Sequence, residues 1–295
     1  QGMTKSIGPE EIAEHGPIYA MAGGDGLTLG RESNDPVYQF IEEHRDQPFY
    51  VWYAPMLPHT PHDPPDEFMA MYNDQGLTNA TQKYYANITR LDKRIGELIK
   101  YLDSTGLREN TIVFYLADNG YEQEPGDEFH PMGQRRGKGS MHEMGFRTPL
   151  LFSWPEAIPS SEINQGFVSS VDIFPTILEF AGAHIPEDLP GKSIMKNILE
   201  NIPTARDTLF GSMNQLRVGP VNPAIGSNPF ANEELSLYLT TSAWHFIYYE
   251  DRDSLALYDR QNDPEELRNL ARQYPTLSEQ FKQEALRWKD RQLSQ

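Results

Sequence analysis

Between Thr111 and Phe152 the sequence reads strand, acidic turn, basic loop, strand, and this stretch limits the folds open to the rest of the chain. Thr111-Ile112-Val113-Phe114-Tyr115-Leu116 is a nearly unbroken β-branched and aromatic run, the pattern of a strand buried on both faces of a parallel sheet. It stops at Ala117-Asp118-Asn119-Gly120. A carboxylate and an amide side by side just past the carboxyl end of a buried strand offer hard oxygen ligands where open α/β sheets build their sites. Then comes Gly133-Gln134-Arg135-Arg136-Gly137-Lys138-Gly139-Ser140, a glycine-spaced basic loop, followed by Met141 to Pro149 and the apolar strand Leu150-Leu151-Phe152. A metal-type acid and an anion-type base therefore sit one loop apart. Singly, neither signal is specific: Asp-Asn-Gly forms turns in its own right, and most arginine-lysine runs are solvated faces. Order and spacing together carry the argument.

The charge balance sharpens it. With 43 acids against 25 bases the net charge is −18, which excludes a general binder of nucleic acid or of anionic membranes. An anionic substrate would need a local basic patch, and Arg135, Arg136 and Lys138 supply one. The absence of cysteine excludes disulfides, thiolate metal sites and a thiol nucleophile. A hydrophobic content of 38% supports a sizeable core, and 295 residues suit one large domain or one and a half. No apolar run resembles a signal peptide or a membrane span. Gln1-Gly2-Met3 looks like a protease-cleavage remnant ahead of an initiator methionine.

Residues 4–35, with Gly23-Gly24-Asp25-Gly26, read as loop. Asp35 and Pro36 open a short helix to His44. Pro48 to Ala54 reads as a buried strand running into the proline-rich stretch Pro55 to Pro65, whose fixed φ angles would hold His59 at a strand end. His59 and His62 could be zinc ligands, but no third ligand stands at a recognisable spacing. From Ala80 to Leu102, apolar residues at three- and four-residue steps (Tyr85, Ile88, Leu91, Ile95, Leu98, Ile99, Leu102) predict an amphipathic helix stopped at Gly106. With the strands on either side it makes a strand-helix-strand unit, as in parallel sheets. Val168 to Leu178 reads as a short strand entering a helix, with Asp172 as its cap or, alternatively, a ligand. Beyond residue 200 the character changes. A proline-, glycine- and asparagine-rich loop from Gly211 to Asn232 precedes two alternating strands, Leu235 to Thr241 and Trp244 to Tyr249, which suit an antiparallel sheet with one wet face. Tyr274 to Leu293 would be a helix packed on it.

Taken together these pieces resemble the sulfatase family of the alkaline-phosphatase superfamily. In that family a strand ends in Asp-Asn or Asp-His and Gly, then come a Gly-Lys-Gly loop, Glu-x-Gly-x-Arg-x-Pro and another strand. Here these are Asp118-Asn119-Gly120, Gly137-Lys138-Gly139 and Glu143 to Pro149, with Met144 where a glycine is more usual. His59 matches the family's substrate-contacting histidine after Ala-Pro, and Asp172 to Thr176 its Asp-x-x-Pro-Thr helix start. Leu189 to Ser193 matches the Gly-x-Ser segment that follows, and Leu257-Tyr258-Asp259 with Asp263 to Ala271 matches the carboxy-terminal pattern. The resemblance implies a mixed, mainly parallel α/β sheet flanked by helices over residues 3–205, and a small antiparallel α+β subdomain over 206–295. It implies a calcium ion held by Asp118 and Asn119, and Lys138, His59, Arg135 and Arg136 around a sulfated small molecule or glycan. Of these, Lys138 and His59 would be catalytic, His59 as the acid for the leaving oxygen. Glu143 and Arg147 would shape the loop as each other's partners.

The family's nucleophile, a formylglycine made in a Cys/Ser-x-Pro-x-Arg motif beside an Asp-Asp metal pair, has no counterpart in these residues. The resemblance therefore implies half of an active site, inactive alone, with an uncovered sheet face that favours self-association. Two other classes stand beside this reading: a phosphomonoester or phosphonate hydrolase of the same superfamily, and a non-catalytic remnant that binds an anion or a partner. For a full-length bacterial homologue the family implies a periplasmic or secreted location.

Overall fold

The computed structural model describes residues 28–59, 61–121, 136–138, 140–160, 166–213 and 236–293. The described residues up to Ile112 form one compact unit and those from Val113 onward a second. The glycine turn at Gly23 to Gly26 and most of the loop between Gly211 and Asn232 lie outside the described residues. No described helix is long and apolar enough to cross a membrane.

The first unit is helical: α1 (Asp35–His44), α2 (Asp66–Met69) and α3 (Asn79–Ser104). Helix α3 starts at Thr78, whose Oγ1 accepts the Thr81 N–H at 3.1 Å, and ends before Gly106 at φ +72°, as the sequence predicts. Its buried face is only partly the apolar stripe. Leu91 and Leu102 are buried, but so are Asn87 and Arg90, while Tyr85 and Ile88 are exposed. The polar pair is buried because it binds main chain: Arg90 donates to the Arg31 carbonyl, and Asn87 to that of Pro61 at 3.3 Å. Arg94 adds bonds to the Gly30 and Glu32 carbonyls at 2.9 and 2.7 Å.

The strand expected at Pro48 to Ala54 is not formed. Along the segment, exposed and half-buried residues alternate. Tyr53 turns in to donate to Asn34 Oδ1 at 2.8 Å, whereas Tyr50 and Trp52 are 64% and 82% exposed. Alternation makes a segment fit for a sheet, but a strand exists only where a neighbour takes its backbone hydrogen bonds.

The second unit opens with a two-stranded ribbon, β1 (Val113–Leu116) and β2 (Leu150–Ser153), antiparallel with Val113 opposite Ser153 and Leu116 opposite Leu150. This corrects the expected parallel sheet: among the described residues β1 pairs only with β2, and it is not buried on both faces. Phe114 packs edge-on against Phe152 and against Phe180 of α5 (Ile173–Phe180), with ring centroids 5.1 and 6.0 Å apart. Leu151 is 60% exposed. The short strand expected at Val168 is instead a 3-10 turn, Ser170–Asp172, which leads into α5, and the short helix α6 (Met195–Glu200) follows.

The antiparallel region is larger than its sequence signal. Strands β3 (Thr208–Met213), β4 (Ser236–Thr241), β5 (Trp244–Tyr249) and β6 (Ser254–Asp259) form a meander in that order. The sequence predicts β4 and β5, but not β3 or β6. Helix α7 (Pro275–Leu293) covers one face, where Phe281 and Ala285 pack on Leu237, Leu239, Phe246, Tyr248 and Leu257. The other face was expected to be wet, and it is not. Met141, from the segment that follows the basic loop, packs there on Ile247, Ala256 and Tyr258. Burying such a side chain stabilises by roughly 1.5–3 kcal/mol, enough to tie that segment to the sheet.

Candidate active site

The end of β1 and the basic loop are joined through main chain, at contacts that only glycine permits. The Gly120 N–H donates to the Gly145 carbonyl at 2.9 Å, and a Cβ on Gly120 would lie 1.9 Å from the Met144 oxygen. A Cβ on Gly145, in the short helix α4 (Glu143–Phe146), would lie 2.6 Å from the carbonyl oxygens of both Gly137 and Ser140. The Lys138 N–H donates to the Tyr121 carbonyl at 2.7 Å. Lys138, in sequence one loop away from Asp118, is thus hydrogen-bonded to the turn that Asp118 opens. Asp118 is exposed, and Asn119 is half-buried with its amide N–H₂ bound to the Gly120 carbonyl at 2.7 Å. The residue types brought near one another, a carboxylate and an amide in the turn and a lysine in the loop bonded to it, are those that serve a cation and an anion. Arg135 lies outside the described residues. Arg136 is turned to the sheet: its guanidinium donates to the Glu266 carbonyl and lies over the Tyr258 ring, 5.9 Å from its centroid.

Behind this loop is a buried polar cluster. Glu266 Oε2 accepts from His142 Nδ1 at 2.7 Å and from the Glu143 N–H at 3.2 Å. His245 donates from Nε2 to the Met141 carbonyl at 2.9 Å, and its Nδ1 accepts from Thr240 Oγ1 at 2.7 Å. Burial holds the His245 pKa below its ordinary value despite Glu266 nearby, so the ring is neutral at pH 7. Glu143 and Arg147 are partners as the sequence suggests, at 3.2 Å. The larger partner is Arg260, whose Nε and Nη2 both donate to the Glu143 carboxylate while its Nη1 donates to the Thr241 carbonyl at 2.8 Å. Glu143, His245 and Glu266 bring three buried ligand atoms within 4.8 Å of one another. Their chemistry is that of a latch, not of a metal centre: two arginines engage the Glu143 carboxylate, and His245 Nε2 carries the proton it gives to Met141.

In the first unit His59 is exposed at the surface, and a buried arginine binds the main chain of its loop. Buried Arg31 donates to the carbonyls of His59 and Pro61 at 2.8 and 3.0 Å and pairs with Asp63 at 3.2 Å. His62 lies against the Tyr84 ring. Asp172 is a buried structural anchor in the second unit. Its carboxylate completes a capping box with Ser169, accepts the Lys192 N–H at 3.0 Å, and pairs with both nitrogens of the Arg206 fork. The cap reading is corrected in place: Ser169 is the cap, Asp172 stands at the third position of the turn and makes no side-chain cap bond to α5, and Arg206 is its principal partner.

Sequence reasoning missed Glu266, His245 and Arg260 as parts of the site, and Arg31 as the holder of the histidine loop. One signal was on the page: a histidine between Trp244 and Phe246, in a strand otherwise fit for a core, asks for a buried polar partner.

Comparison with known proteins now bears on this arrangement. A family profile described as Sulfatase matches residues 27–183, more than half of the 295. Arylsulfatase K of Xenopus laevis is 32% identical over 214 residues, covering 70% of this chain and 36% of that protein. Steryl-sulfatase of Rattus norvegicus is 32% identical over 191 residues, 60% of this chain and 30% of that one. The chain thus spans about a third of the length of these curated relatives. Among solved structures, Ps i-CgsB in complex with k-i-k-neocarrahexaose superposes with a TM-score of 0.68 at 25% identity, over 88% of this chain and 53% of that one. The fold is sulfatase-like α/β, and the chain belongs to the sulfatase family.

Proposed function

We propose that this chain carries the cation-bearing half of a sulfuric ester hydrolase site, for a sulfate ester on a carbohydrate or aryl group. The observation that supports this best is the main-chain bond from Lys138 to Tyr121, which fixes the loop's ammonium-bearing residue beside the Asp118-Asn119 turn. When a sulfate ester breaks, charge grows on the departing oxygen and shifts among the sulfuryl oxygens, so preplaced cations and donors lower the barrier. Lys138 gives a fixed positive charge to those oxygens. To His59 we assign, from the family pattern, the proton for the departing oxygen. The oxygens of Asp118 and Asn119 are the donor type that a hard cation takes, and they would hold the family's calcium ion. That ion, when bound, polarises a sulfuryl oxygen. A calcium ion takes about 6 to 8 oxygens, so these two are part of a shell.

No Cys/Ser-x-Pro-x-Arg segment occurs in the sequence, and an ester bound without a nucleophile to receive the sulfuryl group is not turned over. We therefore read the chain by itself as a binder. Sulfate is preferred to phosphonate because the curated relatives of 32% identity are sulfatases, whereas the likeness to phosphonate monoester hydrolases, at 20 to 22%, concerns the fold alone. The glycan reading draws on the oligosaccharide held by Ps i-CgsB. The exposed apolar side chains Trp52 and Leu151 support self-association of the chain. A nuclear magnetic resonance titration with nitrophenyl sulfate tests the main reading. Salt-sensitive shifts at Lys138 and at its neighbours Gly137 and Tyr121 are expected, those of the neighbours disappearing in Lys138→Ala, and an unmoved Lys138 in the wild type would contradict it.

A further inference from the structure

We infer that Glu266 is a positioning residue for the anion-binding loop, holding Lys138 in place through His142 and the Glu143 amide; this rests on the reading of Lys138 just given. Three independent features single the residue out. Its side chain is only 3% exposed, although it stands in an exposed turn between Glu265 and Leu267. Its backbone adopts φ +55°, a left-handed conformation unfavourable for any residue with a side chain other than asparagine or aspartate. Its Oε1 has no hydrogen-bond partner among the described residues and faces His245 Nε2 at 3.7 Å. Backbone strain together with a buried, half-satisfied carboxylate persists only where the surroundings demand it, and such features gather at functional sites.

What Glu266 touches says what the demand is. Among the described residues its side-chain hydrogen bonds go to His142 and Glu143, the cap and the first residue of the turn of helix that contains Gly145. Its carbonyl accepts from Arg136, on the other side of Lys138. One residue of the carboxy-terminal turn therefore grips the basic loop on both flanks of the lysine. Between these grips, the described contacts of the loop with the turn after β1 run through main chain around Gly120, Tyr121, Gly137 and Gly145. Buried Met141, between Lys138 and His142, ties the same segment to the sheet, so the Glu266 bonds act on a stretch already held at one point. Glu266 touches no substrate position itself and acts through the loop.

The test separates positioning from strain. Glu266→Gly suits φ +55° and removes the side chain, so backbone strain falls while the His142 and Glu143 bonds are lost. Glu266→Gln keeps an acceptor oxygen for both bonds. We expect Glu266→Gly to fold with unchanged circular dichroism, yet to exchange the Lys138 amide hydrogen roughly tenfold to a hundredfold faster, the scale of losing a hydrogen bond to a charged group. Binding of nitrophenyl sulfate should weaken by a similar factor. Glu266→Gln should restore most of both. Unchanged protection of the Lys138 amide in Glu266→Gly would overturn the positioning role. Protection lost in Glu266→Gly while the wild-type chain binds no sulfate ester would leave positioning intact and overturn the functional reading instead. Zinc that stabilises the wild-type protein but not Glu266→Gln would show a metal centre at Glu143, His245 and Glu266, and would also overturn the latch.

Discussion

Replacing Arg206 by alanine removes the principal partner of a carboxylate that has no access to water. Asp172 is 0% exposed, and Arg206 Nη2 donates to its Oδ1 at 2.8 Å while Nη1 donates to Oδ2. Two main-chain donors stay behind, Ser169 N at 2.9 Å and Lys192 N at 3.0 Å. Stranding one member of a buried ion pair costs about 3–5 kcal/mol, and the two remaining donors place this case at the lower end, about 3 kcal/mol. The loss depends on pH. Burial alone would raise the Asp172 pKa, but Arg206 and the two amides outweigh it and hold the group below the ordinary carboxylate value. A depressed folded pKa stabilises the protein above the unfolded value, about 3.9, and that stabilisation fades as pH falls through the folded value. Without Arg206 the upward effect of burial is left to act, so protonation relieves the variant first and its deficit shrinks toward acid pH. Urea unfolding followed by tryptophan fluorescence at about pH 7 and about pH 4 reads both effects. With a slope of about 3 kcal/mol per molar, the midpoint should fall by about 1 M at neutral pH and by clearly less at acid pH. An unchanged midpoint at neutral pH, or an equal fall at both, would refute the reasoning.

Gly145→Ala should cost about 1–3 kcal/mol by overpacking, because its Cβ would meet two main-chain oxygens at 2.6 Å, and it should also weaken sulfate-ester binding. A thermal midpoint equal to wild type would show that the loop can move aside freely. Calorimetry should find calcium bound no tighter than millimolar and lost in Asp118→Ala; micromolar affinity would mean that further ligands complete the shell. A hydrophobic dye should bind and light scattering should report self-association, given Trp52 at 82% exposure in the first unit and Leu151 at 60% in the second, while a monomer that ignores the dye would contradict that expectation.

The sequence shows helix α3 and its stop, because the hydrophobic period and Gly106 are local signals. Strands β4 and β5 and helix α7 are legible for the same reason. What it does not show depends on partners far along the chain. The Pro48 to Ala54 segment has strand chemistry and no strand, since pairing is not a property of one segment. The second face of the meander is dry because Met141 comes back to it from residues that read as loop. For the site, Asp118, Asn119 and Lys138 stand out by spacing, and the main-chain bond from Lys138 to Tyr121 brings them together. The carboxy-terminal Asp263 to Ala271 pattern is visible in the sequence, but nothing local in it points to the site. Only the fold brings Glu266 to His142, 124 residues away.

The account's central claim is that this chain binds a sulfate ester at Lys138 and has no group to receive the sulfuryl moiety. Incubating the pure protein with nitrophenyl sulfate and added calcium, beside Lys138→Ala, tests that claim most directly. The account predicts no nitrophenol release above the uncatalysed rate from either protein, with binding seen in the wild type alone. Steady release by the wild type that disappears in Lys138→Ala would contradict it, by showing that these 295 residues contain a nucleophile.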